Sequence, residues 1–532
     1  MTRGIRVKRM AIGVSFWGNR RARLGTASLM GLLALGVSAC VSPTPYSQAE
    51  HDARAQQDVV SMFQDQQPVT GPITLEEAVA RALKYNLDRR LKLMEEAVSR
   101  REVDVAEMSL LPKLAASAGY SARSNYDASV SRTMNGTNAG QVGDTYTSSD
   151  AKAFETANLV ASWNVLDFGI GYIRARQQAD QSLIVSERRR QVVQNVVQDV
   201  RAAYWRAAAA DRLLKRLDPL LVEVQAAVAD ADAAVSLRIG PLLEALDYQR
   251  SVLEAERQLK SLRSQMTQAR TELATLMNLR PGTPFLIAAA EFPTPTHLPT
   301  LPADTDNLEL LALSNRSEVR GESYQLRINE NESWVAILRM LPGLELSSSY
   351  DYSGNKYLLN NAWASGSMQL TWNLLNLLSG PRAIALAESQ EQLSHVRRHA
   401  LSMAVLSQVN VADLAYRTAL EDYQLAQRIA EVENRILSQL EAGKAARQQG
   451  RRAVVRGQMG ATLADLRRDM AYADLQAAWG RMFATVGADP LPEELTAADL
   501  PTLSATLAQT FQRWEKGEIR SDMPVAPKTA GS

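Results

Sequence analysis

Across 532 residues, 59 basic side chains stand against 58 acidic ones, so the chain has no net field that would gather nucleic acid or an acidic ligand. Its length predicts either several domains or one large elongated unit. Aromatic residues make up only 6% of the chain, which favours long helices over a dense globular core, and its one cysteine excludes an intrachain disulfide.

The N-terminus carries Arg3, Arg6, Lys8, Arg9, Arg20, Arg21 and Arg23, followed by the short apolar run LMGLLALGV at 29–37. That run is too short to span a bilayer and fits the apolar centre of a secretory signal. It ends in Val37-Ser38-Ala39-Cys40, which resembles the lipobox of bacterial lipoproteins. The resemblance implies removal of residues 1–39, acylation of Cys40 and, with Val41 rather than Asp following, retention at the outer membrane. A plain signal peptide with an incidental cysteine is the other reading. Residues 40–72, rich in Gln, Ser, Pro and Asp, read as a tether.

A repeat organises the rest. ARALKYNLDRR (80–90) aligns with LLALSNRSEVR (310–320), and LLPKLAASAGY (110–120) with MLPGLELSSSY (340–350). Ala82 and Ala312, Pro112 and Pro342, Tyr120 and Tyr350 all stand 230 positions apart. Trp163 and Trp372, in SWNVLD and TWNLLN, stand 209 apart, so one loop is 21 residues longer in the first copy. The chain is therefore an internal duplication: repeats at 73–280 and 307–490, a linker at 281–306 and a C-terminal tail at 491–532.

Each repeat opens with a helix. In the first, Thr74 caps a run over 75–111, with Glu77 placed for a capping box. Two alternating stretches follow, separated by a Gly/Asn/Ser/Thr-rich loop. In the second stretch Ala157, Leu159, Ala161 and Trp163 point one way and Asn158, Ser162 and Asn164 the other. Leu344, Leu346, Tyr350 and Tyr352 alternate with Glu345, Ser347, Ser349 and Asp351 in the same manner. At roughly 10 residues, these stretches match tilted membrane strands. A seven-residue apolar repeat then runs from Val193 through Val200, Ala207, Leu214, Leu221 and Val228 to Val235, with a kink or a break expected at Pro219. It resumes after the turn at 237–241, from Ala245 to Leu276, as an antiparallel coiled-coil hairpin.

Four amphipathic strands cannot close a membrane barrel alone; two chains would supply eight and three would supply twelve, and a twelve-stranded barrel leaves a lumen. This plan, with ITLEEAVARAL, LLPKL before the first strand and Trp…Leu-Asp-Phe-Gly after the second, resembles the TolC-type outer-membrane factor family over nearly the whole mature chain. The resemblance implies a mainly α chain with a membrane β-barrel part: a homotrimer with a 12-stranded barrel in outer-membrane lipid, continued by a periplasmic α-helical barrel. It implies an exit duct for an inner-membrane pump, joined through a periplasmic adaptor, with no enzyme activity, cofactor or nucleic-acid partner. It also implies that the hairpin turns form the periplasmic mouth. These are 237–241 and 456–460, with Arg238, Gly240, Arg456 and Gly460 as adaptor-docking positions. Glu244, Asp247, Asp465 and Asp469 would form the gate. Trp163, Trp372, Tyr120 and Tyr350 would sit at the membrane interfaces. The second turn is unusually basic, with Arg451, Arg452 and Arg456. An adaptor-like or a structural coiled-coil lipoprotein remains the alternative. Glu391, His395 and His399 share a helical face at metal-ligand spacing, but Arg397 and Arg398 crowd the segment; it reads as a solvated face, and no metal site is expected.

Overall fold

The computed structural model describes residues 44–519 apart from 65, 133, 138, 238–240, 289–297, 299–300, 302–303, 446–450 and 493–498. The chain separates into two compact units, residues 1–61 and 62–532. Helix α1 (Gln48–Met62) occupies the middle of the stretch read as a tether. Ser47 starts it with a capping box: its Oγ accepts from Glu50 N–H (3.4 Å), and the Glu50 carboxylate accepts from Ser47 N–H (2.8 Å). The helix buries none of its residues.

The second unit begins with α2 (Leu75–Tyr85) and α3 (Leu87–Met108), where the sequence predicts one continuous helix. Asn86 divides them. Its backbone (φ −59, ψ 128) leaves the helical region, its N–H closes α2 on Ala82 O, and its side chain accepts from Arg89 N–H to start α3. The division recurs 230 residues on, where Arg316 (φ −62, ψ 130) separates α6 (Thr305–Asn315) from α7 (Ser317–Leu338). Thr74 caps α2, but the Glu77 carboxylate turns forward to Arg81 (2.9 Å) rather than back to complete a capping box.

Two long hairpins follow the same duplication, α4 (Val165–Ser236) with α5 (Leu242–Leu276), and α8 (Asn376–Ala445) with α9 (Arg451–Thr485). At 72 residues, α4 is about 110 Å long. It continues through Pro219 without a break. A proline costs a helix interior about 3 kcal/mol. The burial of Leu217, Leu220, Leu221 and Val224 around it, at roughly 1.5–3 kcal/mol per side chain, outweighs that loss.

The long helices are shared between two tiers. In one, α3, α4, α7 and α8 are neighbours; in the other, α5, α4, α9 and α8. Along its length α4 thus meets α3 and α7 in one tier and α5 and α9 in the other, while α8 meets α7 and then α9. The apolar seven-residue stripe is the seam: Val200, Ala207, Leu221 and Val224 of α4 are buried, as are Tyr248, Val252, Leu259 and Leu273 of α5. Both hairpins also end alike. Asn278 (φ 56) and Gly487 (φ 72) take left-handed conformations, and the next N–H reaches back to Ala274 O (2.8 Å) or Phe483 O (2.9 Å). At Gly487 a Cβ would stand 2.8 Å from the Asn315 carbonyl carbon, so only glycine fits against α6.

The stretch read as a C-terminal tail contains α10 (Leu500–Glu515), whose Leu503, Leu507, Phe511 and Trp514 lie in the main core with α2, α4 and α9. Its apolar i, i+4, i+8 and i+11 spacing is that of an amphipathic helix. The linker begins ordered too: Ile287 bridges Ile73 in parallel, and Phe285 is buried.

Strands β1 (Lys113–Ala122), β2 (Ala153–Asn164), β3 (Gly343–Ser353) and β4 (Ala362–Thr371) form one antiparallel sheet in sequence order. β2 pairs with β3, joining the repeats, and β1 and β4 are left as edges.

Candidate transmembrane sheet and helix tips

Register decides which side chains share a face, because residues directly opposite each other in an antiparallel pair point the same way. Leu114 opposes Ala161, Leu159 opposes Tyr350, Trp163 opposes Leu346, and Leu346 opposes Met368. One face of the sheet therefore carries Leu114, Tyr120, Leu159, Trp163, Leu344, Leu346, Tyr350, Tyr352, Met368 and Leu370. The other carries Ser117, Asn158, Glu345, Ser347, Ser349, Asp351, Ser365 and Ser367, tied by cross-strand hydrogen bonds. Ser117 donates to Asn158 Oδ1 (2.5 Å), Ser347 pairs with Ser367 (2.7 Å) and Ser349 with Ser365 (2.6 Å).

The four aromatics expected at the membrane interfaces lie on or beside the apolar face, at its two ends. Trp163 and Trp372 stand where strands meet helices; Tyr120 and Tyr350 stand towards the loops. Trp163 packs edge-on against Phe168 (5.5 Å between centroids), and Trp372 Nε1 donates to Met340 O (3.0 Å). The asparagine after each tryptophan has a distinct task. Asn164 Oδ1 accepts from Leu166 and Asp167 N–H to start α4, and Asn373 Oδ1 accepts from Leu375 N–H on the way into α8.

At the loop end, Asn355 does work that no sequence pattern singled out. Its Oδ1 accepts from Ala151 N–H (3.1 Å), while its Nδ2 donates to Ser149 O and Asp150 Oδ1 (both 2.9 Å). The short β3–β4 loop is thereby fastened to the base of the long β1–β2 loop. The one available signal was a turn-forming Ser-Gly-Asn between two strands.

At the far end of the hairpins, Glu244 and Asp247 lie exposed on the first turns of α5, beside the turn at 237–241; Asp247 pairs with Arg250 (3.2 Å). Arg238 and Gly240 lie outside the described residues, as does Cys40. The second turn is not where the sequence placed it. α8 runs to Ala445 and α9 starts at Arg451, so Arg456 and Gly460 are inside α9. The glycines there serve packing: a Cβ on Gly457 would stand 2.7 Å from Leu440 Cδ1, and one on Gly460 2.8 Å from Glu433 Oε2. Arg456 is exposed, whereas the side chains of Arg451 and Arg452 lie outside the described residues.

Asp465 and Asp469 also depart from the expected gate. Both are buried within the chain, 4% and 0% exposed, around Arg468. Arg468 reaches Asp465 (3.0 Å) and Asp469 (2.7 Å), Arg212 of α4 approaches Asp469 (3.6 Å), and Asn434 of α8 donates to Asp465 (3.1 Å). Burial pushes the Asp469 carboxyl above the usual carboxylate range, with Arg468 and Arg212 pulling against it. The cluster ties α4, α8 and α9 together, about 20–30 Å along α9 from its start.

None of the described helices is long and apolar enough to cross a membrane. Residues 79–279, most of the first repeat, match the family model for outer membrane efflux proteins. No curated protein sequence matches the chain significantly. Among solved structures, the outer-membrane channel CmeC of Campylobacter jejuni is 15% identical and superposes with a TM-score of 0.60, over 84% of this chain and 95% of its own. The open MtrE outer-membrane channel of Neisseria gonorrhoeae is 16% identical, with a TM-score of 0.57 over 76% and 88%. A Pseudomonas aeruginosa membrane protein is also 16% identical, with a TM-score of 0.59 over 80% and 92%. The chain thus matches outer membrane efflux proteins in sequence over residues 79–279 and resembles outer-membrane channels in fold over both repeats.

Proposed function

We propose that three copies of this chain form a duct through the outer membrane, each giving four strands to a 12-stranded barrel and its long hairpins to a periplasmic helical barrel. Cargo would enter from an inner-membrane pump and its periplasmic adaptor and leave to the exterior. The observation that carries this reading is the two-faced sheet with both edges open: a bilayer tolerates no unpaired strand edge, so β1 and β4 need partners from other copies. The apolar face then meets lipid and the serine-rich face lines the lumen. Cys40, acylated, would add an anchor to the barrel's own.

Replacing Leu159 by Arg on the apolar face tests the barrel. At mid-membrane depth this costs about 2–4 kcal/mol, so outer-membrane trimer that resists SDS until heated should fall sharply. Ser347→Arg on the opposite face should leave the trimer in place. Equal effects of the two substitutions, or a wild-type chain that fractionates as a soluble monomer, would overturn the reading.

The gate is placed on Glu244 and Asp247, exposed acids on the first turns of α5, and docking on Arg238 and Gly240 of the first turn. Inward-facing carboxylates repeated around a threefold axis favour cations. Asp247→Lys should weaken the cation preference of the channel in planar bilayers without loss of trimer; unchanged selectivity would remove Asp247 from the gate.

A further inference from the structure

We propose that Glu330, Glu391 and His395 form a binding site for a borderline divalent cation of the Zn2+ kind. Glu391 and His395 are one turn apart on α8, and Glu330 comes from α7; their ligand atoms all lie within 4.8 Å of one another. Two carboxylates and a neutral imidazole supply a net charge of −2, which one divalent ion neutralises. An oxygen–oxygen–nitrogen set of three protein ligands suits Zn2+ with water in the fourth position; a hard ion such as Mg2+ prefers an all-oxygen octahedron. His399, one turn beyond, is not part of the cluster.

The helices that carry these ligands are locked at this level. Asn329, next to Glu330, donates from Nδ2 to Ser394 Oγ (2.6 Å), and Ser394, next to His395, is fully buried. On the far side of α7, Gln177 of α4 donates to Ile328 O (3.0 Å) and Glu332 (3.1 Å), while Arg327 is held by Asp180. The separation between α7 and α8 is thus set by contacts other than the ligands themselves, which is how a site is held ready for its ion. Glu330 and His395 are exposed and Glu391 half-buried, so an ion has access. Bound there, it would clamp α7 to α8 below the sheet and stabilise the folded state by mass action.

The test uses the intact detergent-solubilised protein, stripped with a chelator and titrated with Zn2+ against a chromophoric indicator. The expected result is about one Zn2+ per chain with micromolar affinity, no competition from millimolar Mg2+ and a rise in melting temperature. Glu330→Gln and His395→Ala should each weaken binding about tenfold or more, with His399→Ala unchanged. Failure to bind Zn2+ below about 100 μM, or binding that survives both substitutions, overturns the proposal. If His395→Ala does not fold, Glu330→Gln alone decides it.

Discussion

Trp479→Ala should destabilise the folded protein by about 3–5 kcal/mol, the range for removing a fully buried large aromatic. Trp479 is 0% exposed and joins three elements. Its ring lies 4.5 Å from Phe483, which stacks at 4.5 Å on Trp514 of α10, and the Arg201 guanidinium of α4 sits 4.4 Å over its face. Arg201 is itself buried, and burial pulls its pKa down to about 10. It remains charged at neutral pH, with Gln476 (2.7 Å) and the aromatic faces in place of water. Removing the indole opens a cavity and strips a buried cation of its best face, so both losses act together. The measurement is the melting temperature of the purified protein; a shift of only a degree or two would show that α10 and the second hairpin are less tightly joined than their packing implies.

Arg468→Ala should be comparably costly, about 3–5 kcal/mol, because it leaves two buried carboxylates without their shared cation. Asp469→Asn should be close to neutral or stabilising. The carboxyl of Asp469 sits above its ordinary range, chiefly through burial, so the folded state binds that proton more tightly than the unfolded chain does. Its contribution is therefore greatest below the ordinary Asp value and is lost as pH rises through the raised one. Neutralising it permanently removes that loss. Denaturation midpoints for the two variants at neutral pH check the contrast, and a large penalty for Asp469→Asn would mean that the ion pair outweighs the cost of its burial.

Periodicity carried most of what was legible in the sequence. The seven-residue stripe and the two-residue alternation each repeat many times, so single errors average out, and the offset of 230 placed both repeats in register. Features resting on one residue were missed. Asn86 and Arg316 each break a helix whose apolar spacing runs on undisturbed. Gly457 and Gly460 looked like a turn because glycine is ambiguous between chain reversal and close helix contact; only the Cβ clearances against Leu440 and Glu433 distinguish the two. Pro219 read as a kink or a break because propensity is local, whereas the packing that keeps the helix continuous is not. At the site, the strand faces were readable, while the fate of the acids was not. Asp465 and Asp469 look like surface charge until Arg212, contributed from 257 residues away, is seen beside them. In the same way, Glu330 could not be linked to His395 from one helix's spacing.

The β2–β3 pairing also fixes an order of assembly. The β1–β2 loop spans 123–152 and the β3–β4 loop 354–361, but β2 meets β3 only by closing the 178 residues between them. Relative to the β1–β2 loop, that closure costs about 1.6 kcal/mol more in chain entropy, so two separate hairpins are the natural precursors. Each has open edges, and β2 of one copy could pair with β3 of another as readily as with its own. What favours the proper partner is tethering, which makes the pairing intramolecular and so raises the concentration of one strand around the other. The long helices between β2 and β3 thus act as a leash, keeping the inner seam within one chain while β1 and β4 remain the open edges of its sheet.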